Sequence, residues 1–216
     1  TVYLGYRAAG TNRHGGYNVV IGSEAGYSPA GNEFSGSNNV FLGYGAGYKT
    51  GADKNVIIGS AAGQYSTGSQ NTFIGYAAGY GGQTSAPFSS GQDNVALGYR
   101  ALNGFTTGDQ NVAIGKDALV AGTTNSYNVA IGVEALKTID DGENNNVAIG
   151  WGAGQLVNNS GADENVFVGT FAGKGGTGRL HQSVAIGAQA LDATGTADVV
   201  GAVAIGYQAL TAANNS

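Results

Sequence analysis

A nine-residue phrase of alternating character recurs along the whole chain. It reads, in order, a small polar residue (usually Asn), Val, a variable apolar residue, Ile or Leu, Gly, two variable residues, Ala, and then Gly or Leu. Copies begin at Thr1, Asn18, Asn39, Asn55, Asn71, Asn94, Asn111, Asn128, Asn146, Asn165, Ser183 and Ala202, so twelve of them, 16 to 23 residues apart, make 1–216 a single repeat array. Val-x-Ile is β-rich, and position five is glycine in every copy, from Gly5 to Gly206. That pattern predicts a short strand closed by a bend where a side chain does not fit or φ is positive. The following residues, up to an alanine at position eight in every copy (Ala8 to Ala209), predict a second short strand. Connecting segments such as 65–70 and 103–108 carry Gly, Ser, Thr and Asn, which suit turns. No apolar 3.6-residue period survives glycines this frequent, so helix is not expected. The expected fold is all-β, a parallel β-solenoid of about twelve coils. Stacked about 4.8 Å apart, these would form a rod about 55 Å long.

A strand wet on one face should alternate apolar and polar residues. Here positions two and four are apolar, and position three is Tyr3, Val20, Phe41, Ile57, Phe73, Ala96, Ala113, Ala130, Ala148, Phe167, Ala185 or Ala204, with no charge among them. Both faces therefore read as dry. One coil has one interior, so the second face is expected to meet another copy of the chain, with position three and its partners at that oligomer interface. The residues assigned to it are Phe41, Ile57, Phe73, Ala96, Ala113, Ala130 and Phe167, with Leu102, Leu119 and Leu136 from position nine.

Positions three and nine also exchange volume. Tyr3, Val20, Phe41, Ile57, Phe73 and Phe167 accompany Ala9, Gly26, Gly47, Gly63, Gly79 and Gly173. Ala96, Ala113, Ala130, Ala185 and Ala204 accompany Leu102, Leu119, Leu136, Leu191 and Leu210. Close packing demands such exchange between side chains that touch, within a chain or across an oligomer axis. Ala148 with Gly154 departs from the rule, and Trp151 is expected to fill that gap.

Composition narrows the function. Forty glycines with only two prolines exclude collagen, and 42% apolar residues with 11% charged argue against a solvated disordered tail. A net charge of −5 and nine scattered basic residues lack the footprint of a nucleic-acid or anionic-membrane partner. No apolar stretch reaches membrane-spanning length, so direct membrane insertion of this segment is not expected. Any targeting signal is expected to lie outside this chain, and the stop after a complete phrase at Asn214-Asn215-Ser216 is expected to cut a longer array. The absence of cysteine suits an oxidising exterior and a reducing interior equally.

The copies NVAIGKDAL, SVAIGAQAL and AVAIGYQAL resemble the head repeats of trimeric autotransporter adhesins of the YadA type. NVFLGYGAGY and NTFIGYAAGY are similar to repeats of phage-type and bacterial tail fibres. The resemblance covers nearly all of the chain. It implies a left-handed parallel β-roll assembled as a homotrimer, displayed on a cell or virion surface for attachment to a host cell, a glycan or extracellular matrix. The adhesin heads keep a shorter, more regular repeat than the 23 residues between Asn71 and Asn94. A phage tail-fibre receptor-binding segment is the alternative within the same class.

Catalytic chemistry is hard to find. Cysteine is absent, and the two histidines, His14 and His181, fall in glycine-rich connections, so no catalytic residue, cofactor or metal is assigned. Asp53, Asp93, Asp109, Asp140, Asp141, Glu143, Asp163 and Glu164 gather just before new phrases, where oxygen ligands for a structural calcium ion could collect, but their spacing matches neither the EF-hand loop nor the Gly-Gly-x-Gly-x-Asp roll. An enzyme-class alternative is a left-handed β-helix acyltransferase built on Ile-Gly-x-x-Ala hexads. That hexad does not recur after Ile114 or Ile149. Ice binding by a flat face would need a Thr-x-Thr ladder, and none is written. The asparagine opening nine of the phrases reads as a ladder of stacked amides. Tyrosines are the candidates for recognition: Tyr6, Tyr44, Tyr76, Tyr99 and Tyr207 share position six as possible ligand contacts, and Tyr27, Tyr48 and Tyr80 follow position nine.

Overall fold

In a computed structural model of the chain, residues 1–10, 15–28, 35–49, 51–82, 88–157, 161–176, 178–192 and 196–211 are described. Twelve strands of three residues occupy positions two to four of successive phrases. They are β1 (Val2–Leu4), β2 (Val19–Ile21), β3 (Val40–Leu42), β4 (Val56–Ile58), β5 (Thr72–Ile74), β6 (Val95–Leu97), β7 (Val112–Ile114), β8 (Val129–Ile131), β9 (Val147–Ile149), β10 (Val166–Val168), β12 (Val184–Ile186) and β14 (Val203–Ile205). Each pairs in parallel with the next, in matched register, giving one twelve-stranded sheet. A second, two-stranded sheet joins β11 (Leu180–His181) to β13 (Val199–Val200). Among the described residues there is no helix, and the chain is an all-β solenoid of stacked parallel strands.

The bend at position five explains its glycine. Gly43 has φ +134°, and a Cβ there would stand 2.6 Å from the carbonyl oxygen of Gly59 one coil on. Both the torsion and the close approach of neighbouring backbones exclude a side chain.

The expected second strand is not formed. Positions seven and nine lie in the left-handed region, as in Glu24 (φ 57°), Asp117 (φ 54°) and Leu119 (φ 49°), and so break the extended backbone. The amides still pair from coil to coil. Glu24 N–H donates to Tyr6 C=O at 2.8 Å and Gly26 N–H to Ala46 C=O at 2.9 Å, while Ala25 N–H turns back to Gly22 C=O at 3.3 Å. The inner coils thus bend sharply without abandoning their backbone hydrogen bonds.

The interior is filled by position three, the alanine of position eight and position nine, with Phe105, Ile139, Val157 and Leu180 reaching in from the connections. Phe105, which the sequence places in a turn-like segment, packs edge-on against Phe73 with ring centroids 5.5 Å apart. The volume exchange between positions three and nine is a contact within the chain. A Cβ on Gly63 would lie 2.7 Å from Ile57 and 3.2 Å from Phe73, and one on Gly26 would lie 3.1 Å from Phe41. At Gly154 the space is taken by Leu136 and Phe167 of the flanking coils, at 2.7 and 2.9 Å. Trp151 does not fill it: the indole is 54% exposed and packs outside on Phe171, 4.7 Å away.

The two faces of the sheet are reversed relative to the sequence reading. Position three points inward, and positions two and four form the outer face, half-buried or exposed from end to end. Phe41, Ile57, Phe73, Ala96, Ala113, Ala130, Phe167, Leu102, Leu119 and Leu136 are each 0 or 1% exposed in the single chain. They are enclosed by their own coils and cannot reach a partner. The physical reason is that positive φ at positions seven and nine folds each coil back over position three, burying that face first.

Candidate functional site

Two ladders of side chains hold the coils in register and account for most of the polar residues that the sequence brings into view. Position one supplies the first. Asn39 Oδ1 accepts the N–H of Asn55 at 2.8 Å, Asn55 Oδ1 that of Asn71 at 2.8 Å, and the chain of amides continues to Ser183, all buried. Their Nδ2 groups mostly donate to carbonyls of the connections, as Asn94 does to Gly108 at 2.9 Å. The amide ladder expected from the sequence is therefore present, and it occupies the asparagines internally.

A second ladder lies two residues before position one, where the sequence reading expects only turn residues and oxygen ligands. Ser37 N–H donates to Asp53 Oδ1 at 2.7 Å, Gln92 N–H to Asp109 Oδ1 at 2.7 Å, Ser126 N–H to Asn144 Oδ1 at 2.7 Å, and Asn144 N–H to Asp163 Oδ1 at 2.6 Å. The signal was a recurrent short acceptor, Ser, Asp or Asn, at a fixed offset from the phrase. Asp53, Asp109 and Asp163 thus serve neighbouring backbones one coil at a time. Asp93 and Glu164 adopt positive φ directly before position one. Among the described residues no group of three or more His, Cys, Asp or Glu side chains converges as a metal site.

Asp140, Asp141 and Glu143 share one connection. Asp141 accepts from the Thr123 hydroxyl, and Asn125 Nδ2 donates to the carbonyls of Asp140 and Glu143. Glu143 is fully buried; its Oε2 accepts the Asp140 N–H at 3.0 Å while its Oε1 has no partner. Burial pushes its pKa up to about 8, against the opposing pull of that hydrogen bond. His181 lies in the short strand β11, not in a loop, and is half-buried with Nδ1 unpartnered. His14 lies outside the described residues.

The tyrosines of position six are all on the surface: Tyr6, Tyr44, Tyr76, Tyr99 and Tyr207 are 47 to 72% exposed. Only Tyr76 and Tyr99 occupy adjacent coils, and their rings stack with centroids 5.4 Å apart and an interplanar angle of 12°. Beside them opens a groove of about 280 Å³ lined by Ala61, Tyr76, Ala77, Tyr80, Tyr99, Arg100 and Asn103. Position seven is small in this stretch, Gly45, Ala61 and Ala77, and then Arg100 closes the end. Tyr80 is half-buried, and its ring meets Tyr65 edge-on at 5.0 Å. Burial first, and then a hydrogen bond with Tyr65, raises the Tyr80 phenol to about 12, so it keeps its proton. Lys49 extends the cluster by resting on Tyr65 and Phe88, 5.3 and 4.7 Å from the ring centroids. Arg100 pairs with Asp117 at 3.6 Å, and Asn103 Nδ2 donates to Ala77 C=O at 3.1 Å. The sequence reading found these tyrosines but not the alanine floor, Arg100 or Asn103, because residues a whole coil apart become neighbours only on stacking.

The fold and this surface define a β-solenoid repeat protein with an aromatic groove on its flank. No family model, curated protein or solved structure matches the chain.

Proposed function

We propose that the chain is a non-enzymatic structural module, a segment of a surface-exposed fibre or adhesin head that assembles as a homotrimer and attaches to a host cell, glycan or matrix. One observation carries this reading. The outer face of the twelve-stranded sheet bears Val or Thr at position two and Ile, Leu or Val at position four, without one charged residue. Leu97, Ile149 and Ile186 are 39 to 44% exposed in the middle and lower coils, and Val203 and Ile205 are 63 and 67% exposed at the end. A contiguous apolar strip of this kind is the sort of surface that marks a contact with another protein. Because it repeats the same residues at the same spacing, a second copy in register matches it coil for coil, and closed rotational symmetry then satisfies every copy alike. The strip, not position three, is the surface that makes the contact in this reading. Its location would be extracellular, on a cell or virion.

Light scattering of the intact chain tests it. A mass of three chains is expected, and a charged pair on the outer face, V112K with I114K, should return the protein to one chain while its circular dichroism stays β. A wild-type mass of one chain at micromolar concentration would overturn the reading.

A further inference from the structure

The groove beside Tyr76 and Tyr99 has a composition that singles out one chemistry. Its two tyrosine rings stack on each other and stay about half exposed, 54% at Tyr76 and 47% at Tyr99, its floor is two methyl groups, and its rim carries planar or hydroxylic polar groups from Asn103, Tyr80 and Arg100. The single cation there is already matched by Asp117. A ligand must therefore offer an apolar C–H face for the rings, a dense set of hydroxyls for the amide, phenol and guanidinium groups, and no net charge. A pyranose ring meets all three requirements. An acyl chain would leave the polar rim unsatisfied, and an anion would compete with Asp117.

We propose that this groove is a binding site for a neutral oligosaccharide, lying along the rod with a sugar ring against Tyr76 and Tyr99. This rests on the attachment reading above and names its ligand class, but uses positions six, seven and ten, which the outer sheet face does not include. The floor sets the selectivity for place. Position seven carries Glu24 on one side of the small stretch and Arg100, Asp117 and Glu134 on the other, and at Gly152, also small, the Phe171 ring stands where a Cβ would be, so the trough runs over Gly45, Ala61 and Ala77. Tyr6 and Tyr207, beside Arg7 and Gln208, have no such floor.

The test is binding of the intact chain to an array of neutral hexose and N-acetylhexosamine oligosaccharides, with titration calorimetry on the strongest. Three variants accompany it. Y76A/Y99A removes the platform. A77Q fills the trough, and it is compatible with the fold because Gln189 and Gln208 hold the same position at φ 58° and 54°. Y207A is a tyrosine outside the groove. Expected are binding by the parent chain, a loss of about tenfold or more in affinity for the first two variants, and no change for Y207A. No binding to any neutral oligosaccharide at millimolar concentration would overturn the proposal, as would binding that A77Q leaves untouched. Light scattering on the same samples separates the two readings: a trimer that binds no sugar retains the fibre module and removes only the groove's ligand.

Discussion

Gly79 faces the ring of Phe73 so closely that a Cβ built on it would lie 2.5 Å from three ring carbons. Position nine is glycine here because position three is large, and leucine in the coils where position three is alanine. The exchange therefore records a shared interior volume and not a family habit of spelling.

Swapping the pair should recover stability that each single change loses. F73A empties a buried aromatic site and is expected to cost about 3 to 5 kcal/mol, and G79L should clash with the ring left in place. The double variant F73A/G79L reproduces the alanine–leucine arrangement of Ala113 and Leu119. It is expected to show a favourable coupling of about 0.5 to 3 kcal/mol in urea titrations. Recovery should be partial, since Phe105 also leans on Phe73.

The amide ladder gives a second expectation. Asn111 accepts the Asn128 N–H at 3.0 Å and donates to Asn94 Oδ1 at 3.0 Å and Asn125 C=O at 2.7 Å. N111A strands a buried donor and a buried acceptor, and should destabilise by about 2 to 4 kcal/mol in thermal or urea unfolding. N111D should be worse near neutral pH, because it turns the donor to Asn125 C=O into a buried negative acceptor.

Position five should be the least forgiving. Gly115 has φ +128°, and a Cβ there would meet the Gly132 carbonyl oxygen at 2.5 Å. G115A combines torsional strain with a backbone collision between coils. Loss of the cooperative unfolding transition, or a fall of more than about 3 kcal/mol, is expected by circular dichroism. The same change at Gly142, where nothing lies within 4 Å although φ is +85°, should cost about 1 kcal/mol.

Glu143 predicts a pH dependence of definite sign. Its carboxyl binds a proton more tightly folded than unfolded, rising from an ordinary 4.5 to about 8. Its contribution to stability is therefore complete below pH 4.5 and is lost as pH climbs through about 8. E143Q should flatten the decline of Tm between those limits and raise Tm at pH 8, by about 2 to 4 °C for each kcal/mol relieved. Scanning calorimetry of both proteins at pH 5 and pH 8 reads the difference directly. An equal shift at both pH values would show that Glu143 acts through packing and not through its proton.

Much of the architecture was written locally. The phrase length, the three-residue strands, the glycine bend, the stacked asparagines and the contact between positions three and nine all follow from residues close in sequence, or from a correlation repeated coil after coil. Local periodicity also showed that the strand is apolar on both sides. It could not say which side is inside, because alternation with period two divides residues between two faces without ranking them when both are apolar. The tertiary structure made that choice through left-handed torsions at Arg100, Leu102 and Leu119, residues whose identity gives no hint of positive φ. The acidic ladder and the groove were hidden for a related reason. Asp53 meets Ser37, and Tyr76 meets Tyr99, across 16 and 23 residues of sequence. Only the stacking of coils turns such separations into contact, so the chain specified its own repeat, while the winding of that repeat decided which surface faces the core and which faces solvent.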